Sequence, residues 1–472
     1  MNAPGDGSSE ALLHAMAHAI SYREGLLGRP IPPQIGVDEA TRRLGGALNP
    51  RGRAAVDVID TMVAEADAGL LQITSPGFFG YVIGGSHPVG VAADLLCSAW
   101  GQNTAYAATT PGVVAMENAV CKWVIDLLGL PEACGAGLVT GATLGNTVGV
   151  MAARDALLRR VNWDVEARGL FGAPEIQVVI GAEAHSATAA ALRYAGLGSE
   201  RVHRIAADAQ GRMRVDEYRR MMAGLSGPIL VILQAGHINS GAFDPFAELI
   251  PIAREKSAWV HVDGAFGLWV HAVPELAGRL AGVADADSWA VDLHKWLNAP
   301  YDAGMVMTRD RAPLVAAMSA HGDYLPEHGA IWDPSDSVPE LSRRARGVPS
   351  YAILRHLGRE GVLEMVARHC ALAEQAAGEL SAIAGLTVMN DVVSNQIAIC
   401  CGDGERGDAM TQAVLARVQQ DGRVYPTHGV WRGRHIIRVS ICNHATSTVE
   451  IAELVTVLGD AWRQVQSEIQ TE

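Results

Sequence analysis

The sequence predicts an α/β fold with a mostly parallel central sheet and helices on both of its faces. Between about residues 76 and 310, short apolar runs rich in β-branched residues alternate with helical stretches, as in IQVVI, PILVIL, WVHVD, SWAVD and GMVMT. Such runs are typical of strands that are buried on both faces. With 472 residues, 49% of them hydrophobic, the chain is long enough for a large core and a second domain.

The sequence divides into three predicted segments. Residues 1–75 combine helical stretches with the proline-rich LLGRPIPPQIG and predict an N-terminal arm, which packs either on a partner subunit or on its own chain. Residues 76–340 form the large α/β domain. Residues 341–472 predict a smaller α+β domain, with a long amphipathic helix from YAILRHL, strands at SNQIAICC and HIIRVSIC, and a closing helix at STVEIAELV.

The composition narrows the function. A formal net charge of -14 disfavours nucleic acid and anionic membranes as partners and favours a small metabolite. The chain shows neither a membrane-spanning run of about 20 apolar residues nor a basic, then apolar, secretory leader, so we expect a cytoplasmic protein. Seven cysteines without C-x-x-C spacing predict neither a disulfide framework nor a zinc site, and no metal is expected.

Polar side chains follow several of the predicted strands. They are His185, His237, Asp263, and the adjacent pair His294 and Lys295. In parallel sheets, ligands gather at the carboxyl ends of the strands. Each residue alone has an ordinary alternative, because a histidine can be structural and an aspartate can cap the next helix.

Lys295 and Asp263 together indicate pyridoxal 5'-phosphate. A lysine next to a buried strand is partly desolvated, which lowers its pKa and favours the nucleophilic amine, although a lysine reaching out to water is the alternative. Pyridoxal phosphate needs an amine for its aldehyde and a carboxylate for its ring nitrogen. Asp263 lies 32 residues before Lys295, about one βαβ unit, so both can reach the same sheet edge.

The phosphate of such a cofactor would bind at TGATLGN. There Gly141, Ala142 and Thr143 precede a helix predicted from about Leu144, whose free amides and dipole attract an anion. A tight helix start without a ligand is the alternative. His185 could stack on the cofactor ring and hydrogen-bond a substrate carboxylate, while the small Ala265 would admit the opposite ring face.

These motifs resemble the group II pyridoxal-phosphate decarboxylases from about residue 75 to 455. The matching segments are NTAYAATTPGVVAMENAV, TGATLGN, AEAHSATAAALRYAGLG, HVDGAFG, DLHKWLNAPYDAGMVMTRD, PELSRRARGVPSYAILRHLGREG and IRVSICNHATSTVEI. The resemblance implies an aspartate-aminotransferase-like, fold type I enzyme that works as a homodimer with its site near the subunit interface. It implies that Lys295 forms the Schiff base and that Tyr324, in HGDYLPEH, protonates the carbanion.

The expected function is decarboxylation of an L-amino acid to its amine and CO2. The predicted catalytic residues are Lys295, His185 and Tyr324, and the predicted cofactor-binding residues are Gly141, Ala142, Thr143, His185, His237, Asp263, Ala265, His294 and Lys295. His237 stands where the family usually has a threonine, and Leu293 where it often has a proline. The substrate pocket would draw on Phe78, Phe79, Tyr81 and His237, although Phe78 and Phe79 could equally be core residues.

Three alternatives stay open. Two keep the cofactor and change the outcome: an aldolase or another lyase, and an aldehyde-forming oxidative decarboxylase. The third is a non-catalytic relative that only binds a metabolite or a partner.

Overall fold

The central sheet occupies the middle of the chain. A computed structural model describes residues 8–319 and 332–471. In it, seven strands form one sheet in the order β1-β7-β6-β5-β4-β2-β3. Their bounds are β1 Gly135–Val139, β2 Gln177–Gly181, β3 Val202–Ile205, β4 Ile229–Gln234, β5 Trp259–Asp263, β6 Ser288–Asp292 and β7 Gly304–Thr308.

Helices cover both faces of this sheet. The helices of the described residues, in chain order, are α1 Ser8–Glu24, α2 Val37–Leu44, α3 Ala55–Ala66, α4 Pro88–Trp100, α5 Pro111–Leu127, α6 Ala142–Arg160, α7 Val165–Arg168, α8 Ser186–Tyr194, α9 Val215–Gly224, α10 Phe246–Glu255, α11 Pro274–Ala277, α12 Arg311–Met318, α13 Gly347–Ser381, α14 Gly404–Asp421 and α15 Thr448–Thr471. On β4, Val231 and Leu233 belong to the core shared with α9 and α10, whereas Leu230 and Ile232 belong to the core shared with α6 and α8. This alternation follows from the two-residue period of a strand.

One strand departs from the parallel arrangement. Of these seven described strands, only β7 runs antiparallel to its neighbours β1 and β6. The connection from 293 to 303 is shorter than the dozen or more residues that a parallel crossover needs, so the chain returns beside β6. That connection carries His294 and Lys295, which places both residues at the rim of the sheet.

A second, antiparallel sheet follows the long helix α13. Its strands are β8 Leu386–Val388, β9 Gln396–Cys401, β10 Thr427–Trp431 and β11 Arg434–Ser440, in the order β10-β11-β9-β8. Helices α13 and α14 pack against this sheet, and α15 packs on both helices and contributes to the same core. The α+β character predicted for the C-terminal part is therefore present, while the exact boundaries at 75 and 340 stay predictions.

The arm helices are weakly buried. None of α1, α2 and α3 contains a fully buried residue. No helix of the described residues is long and apolar enough to cross a membrane. All seven cysteines are free and buried.

Candidate active site

A cavity of about 380 Å³ lies at the carboxyl ends of the central strands. Its wall brings together eight of the nine residues predicted to bind the cofactor, namely Gly141, Ala142, Thr143, His185, Asp263, Ala265, His294 and Lys295. These residues come from four separate parts of the chain, so their convergence is a property of the fold.

Asp263 is fixed as the last residue of β5. Its side chain is buried, and its Oδ1 accepts a 3.2 Å hydrogen bond from the backbone N–H of Ala265. The Thr188 hydroxyl, from α8, lies 3.5 Å from Asp263 Oδ2. In the sheet, Asp263 is paired with Ala290 of β6, so one strand register sets the position of this carboxylate relative to the end of β6.

Lys295 follows the end of β6 and is ion-paired. Its side chain is 22% exposed, and its Nζ lies 3.0 Å from Oδ2 of Asp292. Oδ1 of the same carboxylate accepts a 2.6 Å hydrogen bond from the backbone N–H of Ala142. The partial burial expected for Lys295 is thus present. Asp292, which was not among the predicted site residues, compensates the charge of the amine.

Helix α6 begins at the predicted cradle. It starts at Ala142, close to the predicted start at Leu144, and its first residues line the cavity, where their N–H groups have no intrahelical acceptors. A Cβ at Gly141 would lie 3.0 Å from His294 Cε1 and 3.3 Å from Asp292 Oδ1. Glycine at 141 therefore keeps this end of the cavity open.

His294 and Tyr301 form the wall next to Lys295. The ring centroids of the two residues are 4.4 Å apart. The Nδ1 of His294 accepts a hydrogen bond from the Ala303 N–H, so this nitrogen is unprotonated in the neutral ring. Burial lowers the pKa of His294, with Asp292 opposing the shift, and burial raises the pKa of Tyr301 to about 12. Tyr301 was not among the predicted site residues, although it lies in the aromatic turn after Lys295.

His185 caps the helix on the far side of the cavity. Its Nδ1 accepts a 3.2 Å hydrogen bond from the Ala187 N–H at the start of α8, and its backbone N–H donates to the side chain of Gln234. The ring is open to solvent on one side, but the surrounding protein lowers its pKa by desolvation. Asp263 opposes this shift, and the charges of Lys295 and Arg438 add to it.

His237 lies elsewhere. It is not on the cavity wall, and its ring is buried between Glu183 and Ser240. Its Nε2 is 3.0 Å from a Glu183 carboxylate oxygen, and its Nδ1 is 3.1 Å from the Ser240 hydroxyl. Trp431 of β10 donates to the same Glu183 oxygen. The structure therefore gives His237 contacts that hold the loop before His185, and among the described residues that line the cavity His237 is not present.

The aromatic residues proposed for a substrate pocket separate into two groups. Phe78 and Phe79 are 2% and 0% exposed; Phe78 stacks on Tyr425, and Phe79 belongs to the C-terminal core. They are core residues in this chain. Tyr81 is 53% exposed and is available to a ligand. Tyr324, the predicted proton donor, lies outside the described residues.

Arg438 is a further candidate that was not predicted from the sequence. It lies on β11, and burial lowers its pKa. Within the described part of the chain its Nε has no hydrogen-bond partner. A buried cation whose charge acts on His185 is suited to an anionic ligand group.

The cavity offers the three groups that pyridoxal phosphate requires. Lys295 provides a primary amine, Asp263 a buried carboxylate, and the start of α6 a helix terminus that can bind an anion. A side chain at position 141 would obstruct the space in front of this helix terminus. These residues fit the cofactor that the motifs predicted.

Comparison with known proteins gives the same assignment. The family model "Pyridoxal-dependent decarboxylase conserved domain" matches residues 55–400. Tryptophan decarboxylase 2 of Oryza sativa subsp. japonica is 25% identical over 404 residues, which cover 81% of this chain and 80% of that protein. Phenylacetaldehyde synthase of Arabidopsis thaliana is 26% identical over 436 residues, covering 87% and 85%.

The fold comparison covers almost the entire chain. The crystal structure of Oryza sativa TDC with PLP and tryptamine superposes with a TM-score of 0.90, covers 98% of this chain and 99% of that one, and is 22% identical. This likeness confirms the predicted fold class. The chain belongs to the pyridoxal-dependent decarboxylase family, and it is a pyridoxal-phosphate-dependent amino-acid decarboxylase.

Proposed function

We propose that this chain decarboxylates an aromatic L-amino acid to the corresponding amine and CO2 in the cavity beside Lys295. The observation that carries the proposal is the convergence of Lys295, Asp263 and the start of α6 on one cavity wall. The aromatic substrate class is supported by the tryptophan decarboxylase among the relatives, and by Tyr301 on the wall.

The cofactor supplies an aldehyde for the amine and a ring that accepts the electron pair left when CO2 departs. Lys295 would hold the aldehyde carbon, and its ion pair with Asp292 positions the amine for that role. Asp263 would keep a proton on the ring nitrogen, and its bond from the Ala265 N–H fixes the direction of its carboxylate. The first amides of α6 and the Thr143 hydroxyl would bind the phosphate.

Three more groups would act on the substrate and the product. His185 would lie against the ring and orient the carboxylate that leaves, since its backbone is held by Gln234 and its Nδ1 by the Ala187 N–H. Arg438 would supply a positive charge for the substrate carboxylate before it is lost, because it is buried and its charge acts on His185. Tyr324 is proposed as the proton donor to the product on the basis of its motif.

The first test concerns the covalent link. Reduction of the cofactor-loaded enzyme with borohydride and peptide mapping should place the pyridoxyl group on Lys295. The Lys295→Ala variant should lose both the label and the visible absorbance of the bound cofactor. A label on another lysine would overturn the assignment of this cavity.

The second test concerns the products, because one of the relatives is named phenylacetaldehyde synthase. CO2, amine, aldehyde and ammonia are measured together for aromatic, diamino, acidic and aliphatic L-amino acids. Equal amounts of amine and CO2 from an aromatic amino acid support the proposal. Aldehyde and ammonia without amine would refute simple decarboxylation, and amine formed from diamino or acidic substrates only would refute the aromatic class.

We also propose that the chain is a homodimer in a reducing, cytoplasmic setting. Leu12, Leu13, Met16 and Ile20 of α1 are 43–64% exposed and leave an apolar face that a second copy could cover. The seven free cysteines are compatible with a reducing compartment. Sedimentation velocity should show a dimer that Leu13→Glu weakens; a monomeric wild type would contradict this assembly.

A further inference from the structure

The N-terminal arm carries a cluster of possible metal ligands far along the sequence from the cavity residues. His14 and His18 lie four residues apart on α1 and therefore on the same face of that helix. Asp60 of α3 faces both of them, with its Oδ1 at 3.2 Å from His14 Nδ1 and 2.8 Å from His18 Nε2. The three side chains are 37–44% exposed, so an ion in solution can reach them.

The distances between these atoms fit a tetrahedral ion. Zinc binds imidazole nitrogen and carboxylate oxygen at about 2.0–2.2 Å, which places neighbouring ligand atoms of a tetrahedral site about 3.3–3.5 Å apart. The His14 distance is close to that range, and the His18 distance has to open by roughly half an ångström. All three ligand atoms lie within 4.8 Å of one another.

The chemistry of the three groups also suits zinc. Two histidines and one carboxylate leave the fourth position to water, as in zinc sites with three protein ligands. An aspartate carboxylate is an anionic oxygen ligand, and it faces both imidazole rings in this cluster. Within residues 8–319 and 332–471, no other group of three or more histidine, cysteine or acidic side chains comes together this closely.

We propose that His14, His18 and Asp60 form a zinc site that fastens the first arm helix to the third. Helix α1 has no fully buried residue, so a metal cross-link would strengthen a position that core packing alone holds weakly. The cysteine spacing predicted no zinc site, and this one uses nitrogen and oxygen ligands instead. The proposal is independent of the chemistry at Lys295.

The experiment uses the full-length enzyme without an affinity tag, loaded with cofactor so that the cavity is occupied. Zinc is titrated against a chromophoric chelator, and Co²⁺ is used as a spectroscopic probe of coordination. We expect one ion per chain and a tetrahedral Co²⁺ spectrum. Asp60→Asn and His18→Asn should each weaken zinc binding by at least about 10–100-fold, which is the loss typical when a residue that only supports a metal ligand is removed.

A matched control is the exposed pair His428 and His435, whose rings lie 4.9 Å apart in the C-terminal sheet. His428→Asn should leave the affinity for zinc unchanged. Zinc should also slow hydrogen exchange in residues 8–24 of the wild type and not of Asp60→Asn, a readout that stays informative if one variant is less stable. The proposal is overturned if wild type binds no stoichiometric zinc, or if His428→Asn loses the ion while Asp60→Asn keeps it.

Discussion

Asp292 faces two partners that the cofactor also needs, and this makes Asp292→Asn the most informative substitution. Its Oδ1 accepts the Ala142 N–H at 2.6 Å, and its Oδ2 lies 3.0 Å from Lys295 Nζ. The Ala142 N–H is one of the amides that would bind the phosphate. We therefore expect the native carboxylate to compete with the phosphate for the start of α6.

The magnitude follows from the kind of hydrogen bond. A hydrogen bond to a charged group contributes about 1.5–3 kcal/mol and a neutral one about 0.5–1.5 kcal/mol. The bond that asparagine must give up when the phosphate binds is therefore weaker by about 1–1.5 kcal/mol. That difference corresponds to about a tenfold tighter Kd. The amide NH₂ of asparagine can in addition donate to the phosphate, which a carboxylate cannot.

The assay compares two ligands by equilibrium titration of the apoenzyme. Losing the partner of Lys295 affects pyridoxal phosphate and pyridoxal alike, so the ratio of their Kd values isolates the phosphate. Asp292→Asn should shift that ratio about tenfold in favour of pyridoxal phosphate. Asp244→Asn is the matched control, because Asp244 is also buried and accepts two backbone N–H bonds, both 2.8 Å, away from the cavity wall. An Asp292→Asn ratio equal to that of wild type would refute the competition.

Three further predictions address the site and the stability of the fold. Asp263→Asn should lower the decarboxylation rate at full cofactor occupancy by a factor of about 10²–10³, measured as CO2 release. A similar loss of rate in Thr188→Val would show that a general disturbance of the site, and not the loss of the carboxylate, is the cause. Glu117→Gln should lower the free energy of unfolding by about 3–5 kcal/mol, because it leaves the buried guanidinium of Arg343 without its carboxylate partner. Urea unfolding of Glu117→Gln, Arg343→Met and the double variant measures the coupling between the two residues. Strictly additive effects of the two substitutions would contradict this coupling. Burial lowers the pKa of His261 to about 3 in the folded state, whereas a histidine in the unfolded chain has a pKa near 6.5. Below about pH 6.5 the folded state therefore binds fewer protons than the unfolded state, and the free energy of unfolding falls by up to about 1.4 kcal/mol for each unit by which the pH is lowered. His261→Gln should have a shallower loss between pH 6.5 and 4.5, and equal slopes would show that His261 is not responsible.

The central sheet could be predicted because its signals are local. The strands at IQVVI, PILVIL, WVHVD and SWAVD are present, with β6 ending at Asp292 and Lys295 three residues later. The reversal of β7 could have been inferred from the short connection at 293–303, but the composition of GMVMT does not reveal strand direction. The start of α6 was predicted within two residues.

The contacts that could not be predicted join distant parts of the chain. The partner of Asp292, the Ala142 N–H, lies 150 residues away, so an aspartate at a strand end gave no sign of it. Phe78 and Phe79 are core residues because they pack on the C-terminal part, which no neighbouring residue indicates. His237 follows a predicted strand as the other candidates do, but its ring contacts Glu183 and Ser240 and does not line the described cavity wall.

The buried cysteines have a practical consequence for work on this enzyme. Burial raises the pKa of all of these thiols, to about 12 for Cys370, Cys401 and Cys442. Maleimide and iodoacetamide reagents react with the thiolate, which these side chains neither form readily nor present to solvent. A dye or spin label attached to one engineered surface cysteine would therefore report on that position alone, without prior removal of the native seven.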